Sequence, residues 1–240
     1  RYPALHTEAL GNAIESTVSQ CGLRAARVRL TLTGGDLNLL RAARGEGQGR
    51  FDPTLIIDAQ PATTYPAEMY EQGVLVTLAS TRCNPLEPTA SHKTLNYWWR
   101  LRELQMAAGK GAAESLVFQV SNHAAGGCVS NVVVVKGGVV RTPIARGEEP
   151  SAHAGGTPLP SPVLPGVVRG RVLALAEEQG MDVQRQMLTF DDVLDADEVL
   201  LTNSSWGVLP VVRVEASQIG SGTPGPGARA MLQAIADEPG

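Results

Sequence analysis

A run of valines interrupted by two glycines is the feature that most constrains the fold of this chain. In the stretch SNVVVVKGGVVRTP, residues 130–143, Val132 to Val135 form an apolar run, and Val139 to Arg141 begin a second one. Lys136-Gly137-Gly138 lies between the two runs. β-Branched runs on either side of a glycine turn predict a β-hairpin.

Helical and strand patterns are mixed along the rest of the chain. Helical spacing is found in TEALGNAIESTVSQCGL and PGVVRGRVLALAEEQG, which stop at Gly22 and Gly180. Strand patterns are found in ARVRLTLTGG, TLIIDAQP, GVLVTLAST and SLVFQV. This mixture predicts an α/β or α+β fold. A composition change near residues 61–68 predicts a domain boundary, which gives domains 1–68 and 69–240.

Composition places the chain among globular proteins. Hydrophobic residues are 43% and charged residues 18% of the 240 residues, and the net charge is −4. That charge favours neither a nucleic-acid nor a membrane partner, and no apolar run reaches bilayer length. Cys21, Cys83 and Cys128 are too few and too scattered for a disulfide framework or a metal site. We therefore expect a cytoplasmic protein without a metal.

Lysine is scarce, and its scarcity narrows the possible chemistry. Seventeen of the 20 basic residues are arginines, which leaves Lys93, Lys110 and Lys136. A guanidinium stays protonated and supplies no free amine, so amine chemistry must use one of these three lysines. Lys110 lies in AAGKGAAE and Lys136 lies in the hairpin turn, and both contexts are typical of solvated side chains.

Lys93 comes just before a helix that is rich in large apolar residues. These are Leu95, Trp98, Trp99 and Met106 on one stripe, with Leu101 and Leu104 elsewhere on the helix. A helix that is apolar over so much of its surface is expected to be buried. A lysine at its start would then be partly desolvated, which favours the neutral, nucleophilic amine. The alternative is a lysine that extends to the surface from an ordinary helix start.

Two further stretches are candidate phosphate sites. In LPGVVRG, Gly166 precedes a helix whose first N–H groups could bind an anion, although a Pro-Gly turn also simply starts a helix. In LLTNSSWGVLP, a strand ends in the hydroxyl and amide side chains of residues 202–205, which could bind phosphate or cap a turn. An amine together with two phosphate sites suits pyridoxal phosphate, an aldehyde cofactor anchored by its phosphate.

The order of these motifs resembles the class IV aminotransferases, which are fold-type IV pyridoxal phosphate enzymes. The motifs are KTLNY, GGCVSNVVVVKGGVVRTP, LPGVVRG, ADEVLLTNSSWGVLPVV and IGSGTPGPGARAML. The resemblance implies a small N-terminal α/β domain, a larger C-terminal α/β domain that binds the cofactor, and a homodimer. The family's opening segment has no counterpart before Arg1, so we expect a truncated N-terminal domain.

The resemblance also implies roles for individual residues. Lys93 would form the Schiff base with the cofactor and shuttle protons, and Tyr97 would approach the cofactor's phenolic oxygen. The phosphate would be held by the backbone of Gly166, Val167 and Val168, and by Asn203 and Ser204 at the later strand end. Val168 replaces a threonine of the family, so one hydroxyl is lost there.

One position departs from the family pattern. The family's E-G-x-x-S-N becomes Gly126 to Asn131 here, so the glutamate that pairs with the pyridine nitrogen is replaced by Gly126. Without that carboxylate the cofactor ring is a weaker electron sink.

The resemblance leaves three functions open for a small-molecule amino substrate. The stretch TNSSWGVLPV is similar to the 4-amino-4-deoxychorismate lyases, which form 4-aminobenzoate and pyruvate, and this lyase is the leading hypothesis. The first alternative is a branched-chain or D-amino-acid aminotransferase. The second, from another functional class, is a non-catalytic scaffold that binds pyridoxal phosphate or dimerises; Gly126 favours it and the retained Lys93 opposes it.

Overall fold

The computed structural model describes residues 6–35, 53–150 and 159–236. The chain divides into two compact units, Arg1–Thr64 and Tyr65–Gly240. None of the helices in the described ranges is both long enough and apolar enough to cross a membrane.

The first unit contains one helix and one strand pair. Helix α1 spans Thr7–Gln20 and is followed by Gly22, whose φ of +66° turns the chain towards the sheet. Strands β1 (Ala26–Leu32) and β2 (Leu55–Pro61) are antiparallel. The helix and both strands were predicted from sequence.

The second unit is built on a mixed sheet. Its strands are β3 (Val74–Cys83), β4 (Glu114–Gln119), β5 (Ala124–Gly127), β6 (Asn131–Lys136), β7 (Val139–Pro143), β8 (Asp182–Gln186), β9 (Glu198–Asn203), β10 (Gly207–Val214) and β11 (Ser217–Gln218). Its helices are α2 (Glu68–Glu71), α3 (Trp98–Ala108), α4 (Val167–Glu178), α5 (Phe190–Leu194) and α6 (Pro226–Ala236). The strand order is β5-β4-β3-β10-β9-β6-β7-β8, with β11 on β10. The predicted mixed α/β fold is confirmed.

The predicted valine hairpin forms between β6 and β7. Lys136 pairs with Val139, which leaves Gly137 and Gly138 as a two-residue turn. Both glycines have positive φ, +57° and +79°, a combination that a two-residue hairpin turn of this hand requires and that residues with a Cβ rarely adopt. Strand β6 pairs on its other edge with β9, so the hairpin lies inside the sheet.

Alternate residues of β6 and β9 enter two different cores. Val132, Val134 and Leu201 pack in a core with α5, whereas Val133 and Leu200 pack in a second core with α4 and α6. Both strands are almost continuously apolar because both faces of the sheet are covered. This alternation also fixes which side chains at the ends of β6 and β9 face α4.

The helix after Lys93 is not buried, so that expectation is wrong. In α3 the buried side chains are Glu103 and Ala107, whereas Trp98 is 80% exposed and the preceding Leu95 is 77% exposed. The polar Glu103 attaches the helix to the sheet, because its carboxylate accepts hydrogen bonds from Ser80 and Thr81 on β3. The inward face of α3 therefore combines Glu103 with Ala107 and the partly buried Trp99 and Leu104. Leu101 and Met106 stay exposed on the outer surface of the helix.

Candidate functional site

A cavity of about 610 Å³ lies in the second unit at the ends of several elements. It is lined by the loop before α3, the turn between β5 and β6, the start of α4 and the end of β9. All seven residues proposed from sequence line it: Lys93, Tyr97, Gly166, Val167, Val168, Asn203 and Ser204. Three chain segments that are far apart in sequence thus meet at one site.

Lys93 is the one lysine of the chain that lines this cavity. Its side chain is exposed, and its Nζ lies 5.7 Å from the centre of the Tyr97 ring. Lys136, by contrast, forms ion pairs with Asp195 and Asp197 at 3.2 and 3.4 Å. The expected desolvation of Lys93 by a buried helix is not found, because α3 leaves its start open to solvent.

The start of α4 forms one wall of the cavity. Gly166 is the N-cap, and no side chain of the described residues caps the N–H groups of the first turn. Those groups have no acceptor inside the helix, and the helix dipole adds positive potential, so this wall favours an anion. A Cβ on Gly166 would lie 2.0 Å from Oδ1 of Asn131, so only glycine allows this close approach. Asn131 is itself held by a 2.8 Å hydrogen bond from its Nδ2 to the Leu164 carbonyl.

The turn after β9 contributes hydroxyl groups. Oδ1 of Asn203 accepts hydrogen bonds from the N–H groups of Ser205 and Trp206 at 2.8 and 2.9 Å, which shapes the turn and presents Ser204 to the cavity. Thr202 also lines the cavity but is only 1% exposed. Its Oγ1 has no hydrogen-bond partner among the described residues.

A buried carboxylate behind the cavity holds the turn between β5 and β6. Oε1 of Glu114 accepts hydrogen bonds from the N–H groups of Ser115 (2.8 Å) and Cys128 (3.0 Å). Its Oε2 accepts from the Val129 N–H and from Oγ of Ser130, both at 3.0 Å. Burial raises the pKa of Glu114, although the four donors oppose the shift. Glu114 therefore positions the turn but does not itself line the cavity.

Gly126 leaves no room for the side chain that the family carries there. Its φ is +132°, and a Cβ would lie 2.7 Å from the Ser130 carbonyl oxygen. Nearby, Nη1 of Arg100 donates hydrogen bonds to the carbonyls of Gly127 (3.1 Å) and Cys128 (3.3 Å). Among the described residues that line the cavity, the only acid is Glu87. This wall thus presents a guanidinium where the resemblance led us to expect a carboxylate.

The two cysteines that line the cavity are not nucleophiles. Cys83 and Cys128 are free and buried. Burial raises the pKa of both thiols, for Cys128 to about 12 with a further contribution from Glu114. Both remain protonated at neutral pH. No group of three potential metal ligands occurs in the described ranges.

A buried ion pair fixes the start of α4. Arg169 is 2% exposed, and its Nη1 and Nη2 donate to the two carboxylate oxygens of Glu148 at 2.9 and 2.7 Å. Nε of Arg169 also donates to Oγ1 of Thr142 at 3.0 Å. A bidentate pair of this kind fixes direction as well as distance, so it orients the first turn of α4 towards the cavity.

The combination of groups fits a phosphate-bearing aldehyde cofactor. An amine, a helix N-terminus with free N–H groups and a glycine that permits close approach lie around one cavity. These are the requirements of the enzymes that use pyridoxal phosphate.

Comparison with known proteins defines the family. The family model described as amino-transferase class IV matches residues 3–214, and the chain belongs to this family. Class IV aminotransferases depend on pyridoxal phosphate, so this protein is an enzyme with that cofactor.

Individual relatives include aminotransferases and a lyase. The branched-chain-amino-acid aminotransferase of Escherichia coli (strain K12) is 28% identical over 240 residues, which cover 98% of this chain and 72% of that protein. Its crystal structure aligns with a TM-score of 0.81 over 98% of this chain and 73% of that chain. The D-alanine aminotransferase of Bacillus licheniformis is 33% identical over 134 residues, 56% of this chain and 42% of that protein.

A lyase structure shares the fold. The 4-amino-4-deoxychorismate lyase from Pseudomonas aeruginosa aligns with a TM-score of 0.79 at 24% identity, over 98% of this chain and 78% of that chain. The fold of this chain is therefore that of the fold-type IV pyridoxal phosphate enzymes.

Sequence reasoning missed Arg100 and Glu114. Arg100 lies in the first turn of α3, but nothing in the sequence indicates that it reaches the turn after β5. Glu114 begins a strand in which every residue is buried. A charged residue in such a strand was the available signal, because a buried carboxylate requires several donors.

Proposed function

We propose that pyridoxal phosphate binds in the cavity with its reactive carbon near Lys93 and its phosphate at the start of α4. The observation that carries this proposal is the meeting of Lys93, the Gly166–Val168 turn and Ser204 around one cavity. The free N–H groups of α4 and the Ser204 hydroxyl would hold the phosphate, and Tyr97 and Asn203 would complete the cofactor site. In this proposal residues 69–240 form the cofactor-binding domain and 1–68 a separate N-terminal domain.

Lys93 is the proposed catalytic residue. A bound pyridoxal phosphate would supply an electron-withdrawing ring that stabilises negative charge at the carbon next to the substrate amine. Lys93 would release the cofactor to the substrate, remove a proton from that carbon and return it as an acid. Its position in the cavity mouth gives the amine the freedom to reach both the cofactor and the substrate.

The substitution at Gly126 favours a lyase over an aminotransferase. Among the residues that the structure describes, the cavity wall next to Gly126 presents Arg100 and no carboxylate, so the charge formed on loss of a proton is stabilised less. When proton loss leads directly to elimination and an aromatic product, the site needs to stabilise the negative charge less than it does in reversible amino transfer. We therefore propose an aminodeoxychorismate lyase that forms 4-aminobenzoate and pyruvate.

The second candidate is an aminotransferase. It is supported by the relatives, since a branched-chain-amino-acid aminotransferase is similar over 98% of this chain and a D-alanine aminotransferase over 56%. In that case Lys93 would move a proton between two carbons rather than assist an elimination. The third candidate, a scaffold without catalysis, is supported only by the loss of the carboxylate at Gly126.

We further propose a homodimer that acts in the cytoplasm. The apolar side chains that α3 and its preceding loop leave open are Leu95, Trp98, Leu101 and Met106. Several large apolar side chains left exposed are typical of a protein interface, and a second copy of the chain would cover them. The three cysteines are all free, in agreement with a reducing compartment.

The deciding experiment is a substrate comparison with the purified holoenzyme. Aminodeoxychorismate is supplied alone, and 4-aminobenzoate and pyruvate are measured. In parallel, L-leucine, L-valine and D-alanine are supplied with 2-oxoglutarate, and glutamate is measured. The lyase proposal predicts products in the first assay that disappear in Lys93→Ala. Glutamate formation alone would establish the second candidate, and a cofactor-loaded protein that is inactive in both assays would establish the scaffold.

A further inference from the structure

The hydroxyl of Thr202 stands out among the described polar groups of the cavity because its hydrogen-bonding capacity is unused. It is buried, it lines the cavity, and it has no hydrogen-bond partner among the described residues. A buried hydroxyl without a partner costs stability, and native proteins retain few of them. Such a group in a binding cavity indicates a ligand atom that completes the bond.

The sheet geometry places this hydroxyl on the same side as α4. Side chains alternate between the two faces of a strand, and Leu200 of β9 packs in the core that contains α4. Thr202, two residues later, therefore faces the same way. Asn131, which pairs with Thr202 across the ladder, touches Gly166 at the start of α4. The Thr202 hydroxyl thus lies at the α4 N-terminus and not in the opposite core.

We infer that the Thr202 hydroxyl donates a hydrogen bond to the phosphate of the bound cofactor. Helix α4 has twelve residues, and its first N–H groups can bind only part of a phosphate, which has three terminal oxygens. Val168 supplies a backbone N–H but no hydroxyl, so the position where the family has a threonine cannot contribute a side-chain bond. Thr202 supplies a hydroxyl from beneath the same helix end. This inference rests on the proposed position of pyridoxal phosphate in the cavity.

The test compares Thr202→Val with the wild-type full chain. Valine keeps the shape and removes the hydroxyl. A hydrogen bond to a charged phosphate implies a loss of about tenfold in affinity for pyridoxal phosphate, measured by equilibrium titration of visible absorbance. Pyridoxal, which lacks the phosphate, should bind wild type and variant equally. Inorganic phosphate should compete with pyridoxal phosphate less effectively in the variant.

Two controls separate this role from a structural one. Without cofactor, Thr202→Val should unfold at the same or a higher temperature, because a buried hydroxyl without a partner has been removed. Thr202→Ser should retain affinity within a few-fold, and Ser205→Ala, whose exposed hydroxyl does not line the cavity, should match wild type.

Three results would overturn the inference. The first is equal affinity of Thr202→Val and wild type for pyridoxal phosphate, and the second is an equal loss of affinity for pyridoxal. The third is a lower unfolding temperature of Thr202→Val without cofactor. A wild-type protein that binds pyridoxal phosphate only outside the cavity, with no dependence on Lys93, would overturn the proposed site as well. Failure of Thr202 alone, with binding through Lys93 intact, leaves the proposed function standing.

Discussion

Glu114 is predicted to hold the cavity wall, and Glu114→Gln tests this directly. The carboxylate accepts four hydrogen bonds, two on each oxygen. In the best orientation of a glutamine, its carbonyl oxygen keeps the bonds from Ser115 and Cys128. Its amide group then faces the Val129 N–H, and two donors meet. The Ser130 hydroxyl can rotate to accept from one amide hydrogen, so the Val129 N–H and the second amide N–H are both left unpaired.

The number of unpaired donors sets the expected loss of stability in Glu114→Gln. An unpaired donor costs about 1–3 kcal/mol, and bonds to a charged acceptor are stronger than those to a neutral amide, so we expect Glu114→Gln to lower the free energy of unfolding by about 2–4 kcal/mol. Ser130→Ala removes one donor and keeps the carboxylate, and it should cost only about 1 kcal/mol. Because residues 127–130 line the cavity, Glu114→Gln should also weaken binding of pyridoxal phosphate.

The pH dependence has a definite sign. The pKa of Glu114 is raised in the folded protein, so the folded state holds this proton more tightly than the unfolded state. Its contribution is therefore fully present below the unfolded value of about 4.5 and is lost as the pH rises through the raised pKa. Glutamine does not titrate, so the difference between wild type and variant should narrow with rising pH in that window.

Urea denaturation measures the loss of stability, and its repetition at several pH values measures the pH dependence. The same experiment with and without cofactor measures the change in cofactor binding. A variant whose free energy of unfolding lies within about 0.5 kcal/mol of wild type at every pH would mean that the four hydrogen bonds do not hold the turn. A difference that widens as the pH rises would contradict the direction of the pKa shift.

Two further predictions concern α4 and α3. Glu148→Gln breaks the bidentate pair with buried Arg169 and should lower the free energy of unfolding by about 2 kcal/mol at pH 7, less than for a fully buried pair since Glu148 is partly exposed. Burial opposes the shift, but bonds from Arg169 and the Ala145 N–H hold the pKa of Glu148 below its usual value. The stability that Glu148 contributes should therefore be present at neutral pH and be lost as the pH falls below about 4.5 through the lowered pKa. Equal denaturation midpoints of Glu148→Gln and wild type at pH 7 would contradict this contribution. Trp98→Ser should shift the proposed homodimer towards monomer in sedimentation velocity, and a wild-type protein that is monomeric at all concentrations would contradict the dimer.

Local signals predicted most of the fold, whereas the proposed roles of the site residues come from the resemblance to the class IV aminotransferases. The paired glycines at 137 and 138 require positive φ, and the valines around them suit a strand that is buried on both faces. Gly166 marks the start of α4 because only glycine permits the approach of Asn131. In each case the residue type and its immediate neighbours carry the information.

Tertiary contacts explain what the sequence could not predict. The exposure of Trp98 depends on what covers α3, and an apolar stripe is the same whether it faces a core or another chain. Arg100 reaches carbonyls 27 and 28 residues further along the chain, and Glu114 reaches N–H groups up to 15 residues away. Such pairings arise only when the sheet brings separate segments together.

The lysine that binds the cofactor can be identified by chemical trapping. The holoenzyme is treated with borohydride, which makes the covalent link between lysine and cofactor permanent, and the digested protein is mapped by mass spectrometry. Because the chain has only three lysines, the assignment is unambiguous. We expect the pyridoxyl group on Lys93, and we expect both this group and the visible absorbance to be lost in Lys93→Ala. A pyridoxyl group on Lys110 or Lys136, or no modified lysine in a cofactor-loaded protein, would contradict this expectation.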